Sequence, residues 1–169
     1  MAKKEFWLIV DVETTIESKV FDFAAVVVDR KGEIHAQCAV IVYEFMEQSL
    51  FYIPNEDGHW SKAWTIQKRK NYDQMLASGQ RMVASTTAIN RWLEKANGKF
   101  NPTLTAYNSA FDKEKCAGSG IDLTIFKNTF CLWHLACTMY AKTKAYRQFV
   151  LDNHYFGSPH KFWQYVIQN

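Results

Sequence analysis

Nowhere in the 169 residues does an apolar run approach the roughly 20 needed to span a bilayer. The run that follows Lys3 and Lys4 is cut off at Asp11, too short for a secretory signal peptide, so a cytoplasmic protein without membrane association is expected. Proline (3) and glycine (7) are scarce, and no repeat, low-complexity stretch or linker divides the chain, which predicts a single domain over residues 1–169. Cysteine is limited to Cys38, Cys116, Cys131 and Cys137, scattered in a way that suits reduced core thiols better than a disulfide framework. Cys131, His134 and Cys137 would fan over about 120° of a helix, and no fourth ligand accompanies them, so a zinc site is not expected. Core-forming material is not lacking. With 48% hydrophobic and 15% aromatic residues, a chain of this length can bury roughly 70% of its unfolded surface.

Net charge is only +3, but it is unevenly placed. Residues 1–59 hold 5 basic and 11 acidic side chains, and residues 60–169 hold 15 basic and 6 acidic, so the second part is the better phosphate binder. From Trp60 to Lys70 there is no acid, and Lys62, Lys68, Arg69 and Lys70 alternate with Trp60 and Trp64. Two accounts fit that segment: a strip that holds a single strand by charge and stacking, or a solvated helix face whose two tryptophans pack inward at i and i+4. The second is the more economical. Lys142, Lys144 and Arg147 form another basic cluster with the same two readings.

Periodicity predicts an α/β domain. Residues 5–12 and Phe21 to Val28 read as strands, Asp29-Arg30-Lys31-Gly32 as a turn, and residues 34–42 as a third strand with alternating apolar positions. Short links make these an antiparallel meander. Residues 44–99 read as mainly helical, most clearly from Val83 to Ala96, where Val83, Ile89, Trp92, Leu93 and Ala96 share one side and Gly98 is the expected stop. Thr103 to Tyr107 then returns as a strand parallel to the first, because it follows a long crossover. A fifth short strand near Asn128 to Cys131 and helices from residue 132 complete a mixed five-stranded sheet flanked by helices, with a turn at Gly157-Ser158-Pro159.

Asp11 and Glu13 are the most informative residues. They end the first strand two positions apart and therefore share a face. Two such carboxylates repel unless a cation neutralises them, and Mg²⁺ and Mn²⁺ favour oxygen ligands; the alternative is a strand that has simply reached solvent. Asp112 follows the fourth strand, in the first turn of a helix that Asn108 or Ser109 can cap. It can serve that helix end alone, or reach the pocket that Asp11 and Glu13 line.

Asp11-Val12-Glu13-Thr14 at the end of a first strand, followed about a hundred residues later by Asn108-Ser109-Ala110-Phe111-Asp112, resembles the first two motifs of the DEDD superfamily of 3′-to-5′ exonucleases. The small size and the Asp-Val-Glu-Thr-Thr sequence look similar to stand-alone phage or bacterial members. The resemblance implies a ribonuclease H-like fold and a two-metal phosphodiester hydrolase acting on single-stranded DNA or RNA 3′ ends. It also implies that Asp11, Glu13 and Asp112 are catalytic ligands of two Mg²⁺ or Mn²⁺ ions, that Thr14 lies beside the terminal nucleotide, and that Asn108 and Phe111 shape the substrate site. The family's third motif, His-x-x-x-x-Asp or Tyr-x-x-x-Asp, which supplies a general base and a fourth acid, has no counterpart among His134, His154, His160, Tyr140 and Tyr146. The general base is thus unknown, the second metal site incomplete and the C-terminal helix expected to be missing. The expectation is an exonuclease-like protein impaired as this chain alone. The alternatives are a lapsed nuclease that still binds nucleic acid, or an inhibitor or accessory protein that uses aromatics such as Trp133, Phe162 and Trp163 as protein-binding hot spots.

Overall fold

The alternation of β1 (Phe6–Thr14) turns Leu8, Val10 and Val12 into the main core and leaves Ile9, Asp11 and Glu13 on the opposite face. Antiparallel β2 (Val20–Asp29) and β3 (Ile34–Val42) follow as the expected meander. Gly32, at φ +79°, gives the intervening turn its left-handed residue. Asp29 holds that turn by accepting hydrogen bonds from the backbone N–H groups of Lys31 (2.9 Å) and Glu33 (3.2 Å). The computed structural model describes residues 5–48, 62–152 and Phe162, with the side chains of the second span described from residue 68 onward.

The sheet has six strands rather than five, in the order β4-β3-β2-β1-β5-β6. Thr103–Ala106 (β5) pairs parallel with β1, and Thr129–Cys131 (β6) pairs parallel with β5, as expected. The additional strand is Met82–Ala84 (β4), which pairs parallel with β3. Val83, expected on the inner side of a helix, lies instead in this edge strand, 43% exposed. Three apolar residues at a sheet edge gain ladder hydrogen bonds that a lone helical turn would not, and Ser85 then starts the helix. Its Oγ accepts from the Ala88 N–H at 3.2 Å, capping α2 (Thr86–Phe100). Ser85→Ala is expected to cost about 1 kcal/mol, read as a lower urea midpoint with an unchanged slope.

Helix α2 buries Ile89, Leu93 and Ala96 against the Leu8, Val10 and Val12 face, with Trp92 packed at its margin. Gly98 does not stop it. The helix runs on to Phe100 and ends at Asn101, whose φ of 44° is left-handed. Helix α3 (Ser109–Gly118) contributes Cys116 to the same core. On the other face, α1 (Lys62–Ala77) packs Tyr72 against Phe21 and Ile41. Phe21 reaches that face through a bulge, since Glu13 pairs with Asp22 but Thr14 with Val20. The described elements thus form helix, sheet and helix layers.

Beyond β6, α4 (Leu132–Tyr140) and α5 (Lys144–Asp152) make a small aromatic core with Phe162, whose ring lies 5.1 Å from Tyr146, 5.3 Å from Tyr140 and 5.4 Å from Phe149. Phe162 is therefore a packed residue rather than an exposed hot spot, and Trp133 is half-buried. Trp60, Trp163, the Trp64 side chain and the Gly157 to Pro159 turn lie outside the described residues. All four cysteines are free thiols. No described helix is long and apolar enough to cross a membrane.

Candidate active site

Asp11 and Glu13 sit at the carboxyl end of β1, and the N-terminus of α3 follows the carboxyl end of β5, the neighbouring parallel strand. This is where the strand order turns from the meander to the crossover side, the position at which open α/β sheets most often place a site. Asp112, in the first turn of α3, is buried at 6% exposure, and its carboxyl accepts hydrogen bonds from its own N–H and from that of Val12, between Asp11 and Glu13 in β1. The fold therefore brings Asp112 to the two acids of β1. Asn108 precedes α3 but makes no side-chain cap; its carbonyl accepts from the N–H groups of Phe111 (2.9 Å) and Asp112 (3.4 Å). Phe111, next to Asp112 in α3, stands 38% exposed, with the Lys115 ammonium 5.5 Å from its ring and paired with Glu114 at 2.8 Å; Tyr107 is 42% exposed. Thr14 is buried at 4% exposure, on the alternation opposite to Glu13.

A fourth acid joins the three. Asp22 is the cross-strand partner of Glu13 and is buried at 5%. Its carboxylate accepts a two-pronged pair from Arg81, Nε to Oδ1 at 2.9 Å and Nη2 to Oδ2 at 3.2 Å, and a further hydrogen bond from the Tyr72 hydroxyl. Glu13 is engaged by Lys68, Nζ to Oε2 at 3.0 Å. The sequence carries one sign of Asp22: a lone acid in the apolar strand Phe21-Asp22-Phe23, whose register with β1 follows from a count back from the turn. Tyr72 and Arg81 have no such signal, and the basic segment from Trp60 to Lys70 marks Lys68 as a cation without marking Glu13 as its partner, because all three arrive from α1 and from the segment before β4 at no fixed spacing.

Electrostatics single out two of the four acids. Burial raises the pKa of Asp11, and the charges of Glu13 and Asp22 raise it further, against smaller lowering by Arg81 and Lys68. Asp112 is pushed up to about 6, first by burial and then by the charge of Asp11, against its two backbone hydrogen bonds. Both shifts mark carboxylates that repel each other, Asp112 from a buried position and Asp11 from the exposed face of β1, where the crowding of protein atoms on one side is enough to raise it. A hard divalent cation is what such an oxygen donor set accepts, so Asp11, Asp112 and Glu13 fit the implied metal chemistry. As they stand, their oxygens do not converge within 4.8 Å of one another, and Glu13 is held toward Lys68. Among the described residues, that mutual distance is met by Asp29, Glu33 and His35, where Asp29 holds the hairpin turn and pairs with His35 Nε2 at 3.1 Å.

The raised Asp112 predicts a stability trade. An acid whose pKa is higher folded than unfolded supports the fold below about 4, and loses that support as pH rises through its folded value near 6. Asp112→Asn keeps an acceptor without the charge. It is expected to stabilise the metal-free protein by about 1–2 kcal/mol at pH 7.5, a melting rise of about 2–6 °C, and to give no gain at pH 4. Thermal melts at the two pH values check this.

Comparison with known proteins finds no family, curated protein or solved structure that matches the chain.

Proposed function

We propose that the chain is a ribonuclease H-like, divalent-cation-dependent phosphodiester hydrolase of the DEDD type that acts on single-stranded 3′ ends, slowly for want of the third motif's base and acid. The observation that carries this is the reach of Asp112 from α3 to the Val12 N–H, beside Asp11 on the adjacent parallel strand. Residues about a hundred positions apart, singled out by motif alone, meet at one end of the sheet. Their shared repulsion supports a cation-binding role over a purely structural one.

In this reading Asp11 and Asp112 would hold divalent metal, with Glu13 beside them on the same face of β1. Bound there, the metal supplies Lewis acidity toward a phosphodiester and toward a water nucleophile. The chain's own groups do the rest. Exposed Phe111 offers a face for the terminal base. Arg81 and Tyr72 fix the Asp22 carboxylate and keep it from competing for cation.

The test is a pair of single strands, one labelled at the 5′ end and one at the 3′ end, incubated with the protein and Mn²⁺. Release of mononucleotide from the 3′ label first, with a stepwise ladder from the 5′ label and complete suppression by EDTA, is the expected result. Salt-sensitive binding without cleavage would replace the hydrolase by a nucleic-acid-binding module. Neither binding nor cleavage would remove both.

A further inference from the structure

Helix α1 matches the sheet residue for residue at the acidic site. Lys68 and Tyr72 are one helical turn apart and face the same way. Glu13 and Asp22 are cross-strand partners whose side chains rise together from β1 and β2. Lys68 meets Glu13 at 3.0 Å, and the Tyr72 hydroxyl meets Asp22. The helix cannot easily turn to another face, because Tyr72 is buried against Phe21 and Ile41, and Arg69 donates from Nη1 to the Met46 carbonyl at 2.9 Å while lying 5.8 Å from the Phe21 ring. The Lys68 side chain is 21% exposed and that of Glu13 45%, so the pair lies at the open rim of the cluster, with the stem of Lys68 covered and its ammonium on the carboxylate.

The charges then balance in a specific way. Among the described residues the cluster contains four carboxylates, Asp11, Glu13, Asp22 and Asp112, and two cations, Lys68 and Arg81. Arg81 is committed to Asp22 and Lys68 lies on Glu13. The two remaining negative charges are those of Asp11 and Asp112, and together they equal one divalent ion. A second divalent ion at Glu13, whose side chain is 45% exposed, would have to displace an ammonium or lie beside it, against a like-charge repulsion that solvent screens only in part.

We infer that Lys68 is a resident cation of the site, held on Glu13 in place of a second metal ion, so that the chain takes one divalent ion on Asp11 and Asp112. This rests on the metal-dependent reading above. It makes Lys68 a residue that sets metal stoichiometry, a role carried by its charge more than by its shape.

Calorimetric titration of the full chain with Mn²⁺, with electron paramagnetic resonance on the same samples, tests it. Expected are one Mn²⁺ per chain and the spectrum of an isolated ion, since two ions roughly 3.5–4 Å apart would be spin-coupled. Lys68→Gln should add a second equivalent or tighten Mn²⁺ binding by about tenfold, and Lys68→Arg should behave as the unaltered protein. Two equivalents with a coupled spectrum in the unaltered protein would overturn the inference and leave the hydrolase reading standing. So would a Lys68→Gln titration identical to that of the unaltered protein. No Mn²⁺ bound by either protein would overturn the metal-dependent reading itself, and this inference with it. The partly exposed Lys68 pair is worth no more than about 1 kcal/mol of stability, so the variants should fold, and the spectrum of the unaltered protein decides without them.

Discussion

Replacing Asp11 with Asn should abolish Mn²⁺-dependent hydrolysis of a 3′-terminated strand, by a factor of about 10³ or more, while the fold persists. Asp11 lies on the open face of β1, outside the core that Leu8, Val10 and Val12 build, so no packing is lost. Its charge is opposed by Glu13 and Asp22 and raises the pKa of Asp112, so removing that charge relieves repulsion in the metal-free protein. The same change removes one of the two carboxylates left without a cation of the protein's own, and with it half of the charge that attracts metal. Turnover with Mn²⁺ for the two proteins, beside their thermal melts, separates the effects. An inactive variant that melts at or above the unaltered temperature is the expected result. A variant retaining more than about a tenth of the activity would move the chemistry away from these acids.

The elements with a strong two-residue or helical period are legible in the sequence. β1, β2 and β3 lie where alternation places them, and the buried positions Ile89, Leu93 and Ala96 of α2 follow the helical period. What misleads is local. Met82, Val83 and Ala84 carry no strand period in three residues, and their state is decided by the open edge of β3, which no window around them contains. Gly98 resembles a helix end, yet the chain reaches its left-handed residue at Asn101, because Ala96 and Phe100 still have core to cover. Of the candidate site, the acids of β1 and α3 are visible because their chemistry is held in short motifs. The cations and Tyr72 are not, since their positions follow from how α1 packs on Phe21 and Ile41.

Arg81→Met should unfold the chain more readily by about 3 kcal/mol, the largest stability effect expected of any single change at the cluster. Asp22 is nine-tenths buried, and its two oxygens each accept from the Arg81 guanidinium, at 2.9 and 3.2 Å. Removing the guanidinium leaves a carboxylate in a poorly solvated place with one donor from Tyr72 and two acidic neighbours, Glu13 and Asp11. Breaking one partner of such a pair costs far more than the pair contributes, because desolvation of the survivor is no longer offset. Arg81 also ties the segment before β4 to α1 through its backbone N–H, which donates to the Met75 carbonyl at 3.1 Å. A change of side chain leaves that bond in place, so the loss is chiefly electrostatic. The double variant Asp22→Asn with Arg81→Met separates the two contributions: with the stranded charge gone, more than half of the lost stability should return in urea unfolding. Equal stability of the single and double variants would mean instead that Arg81 acts through packing of its stem over the sheet edge, and that Asp22 is not part of the cluster's charge balance.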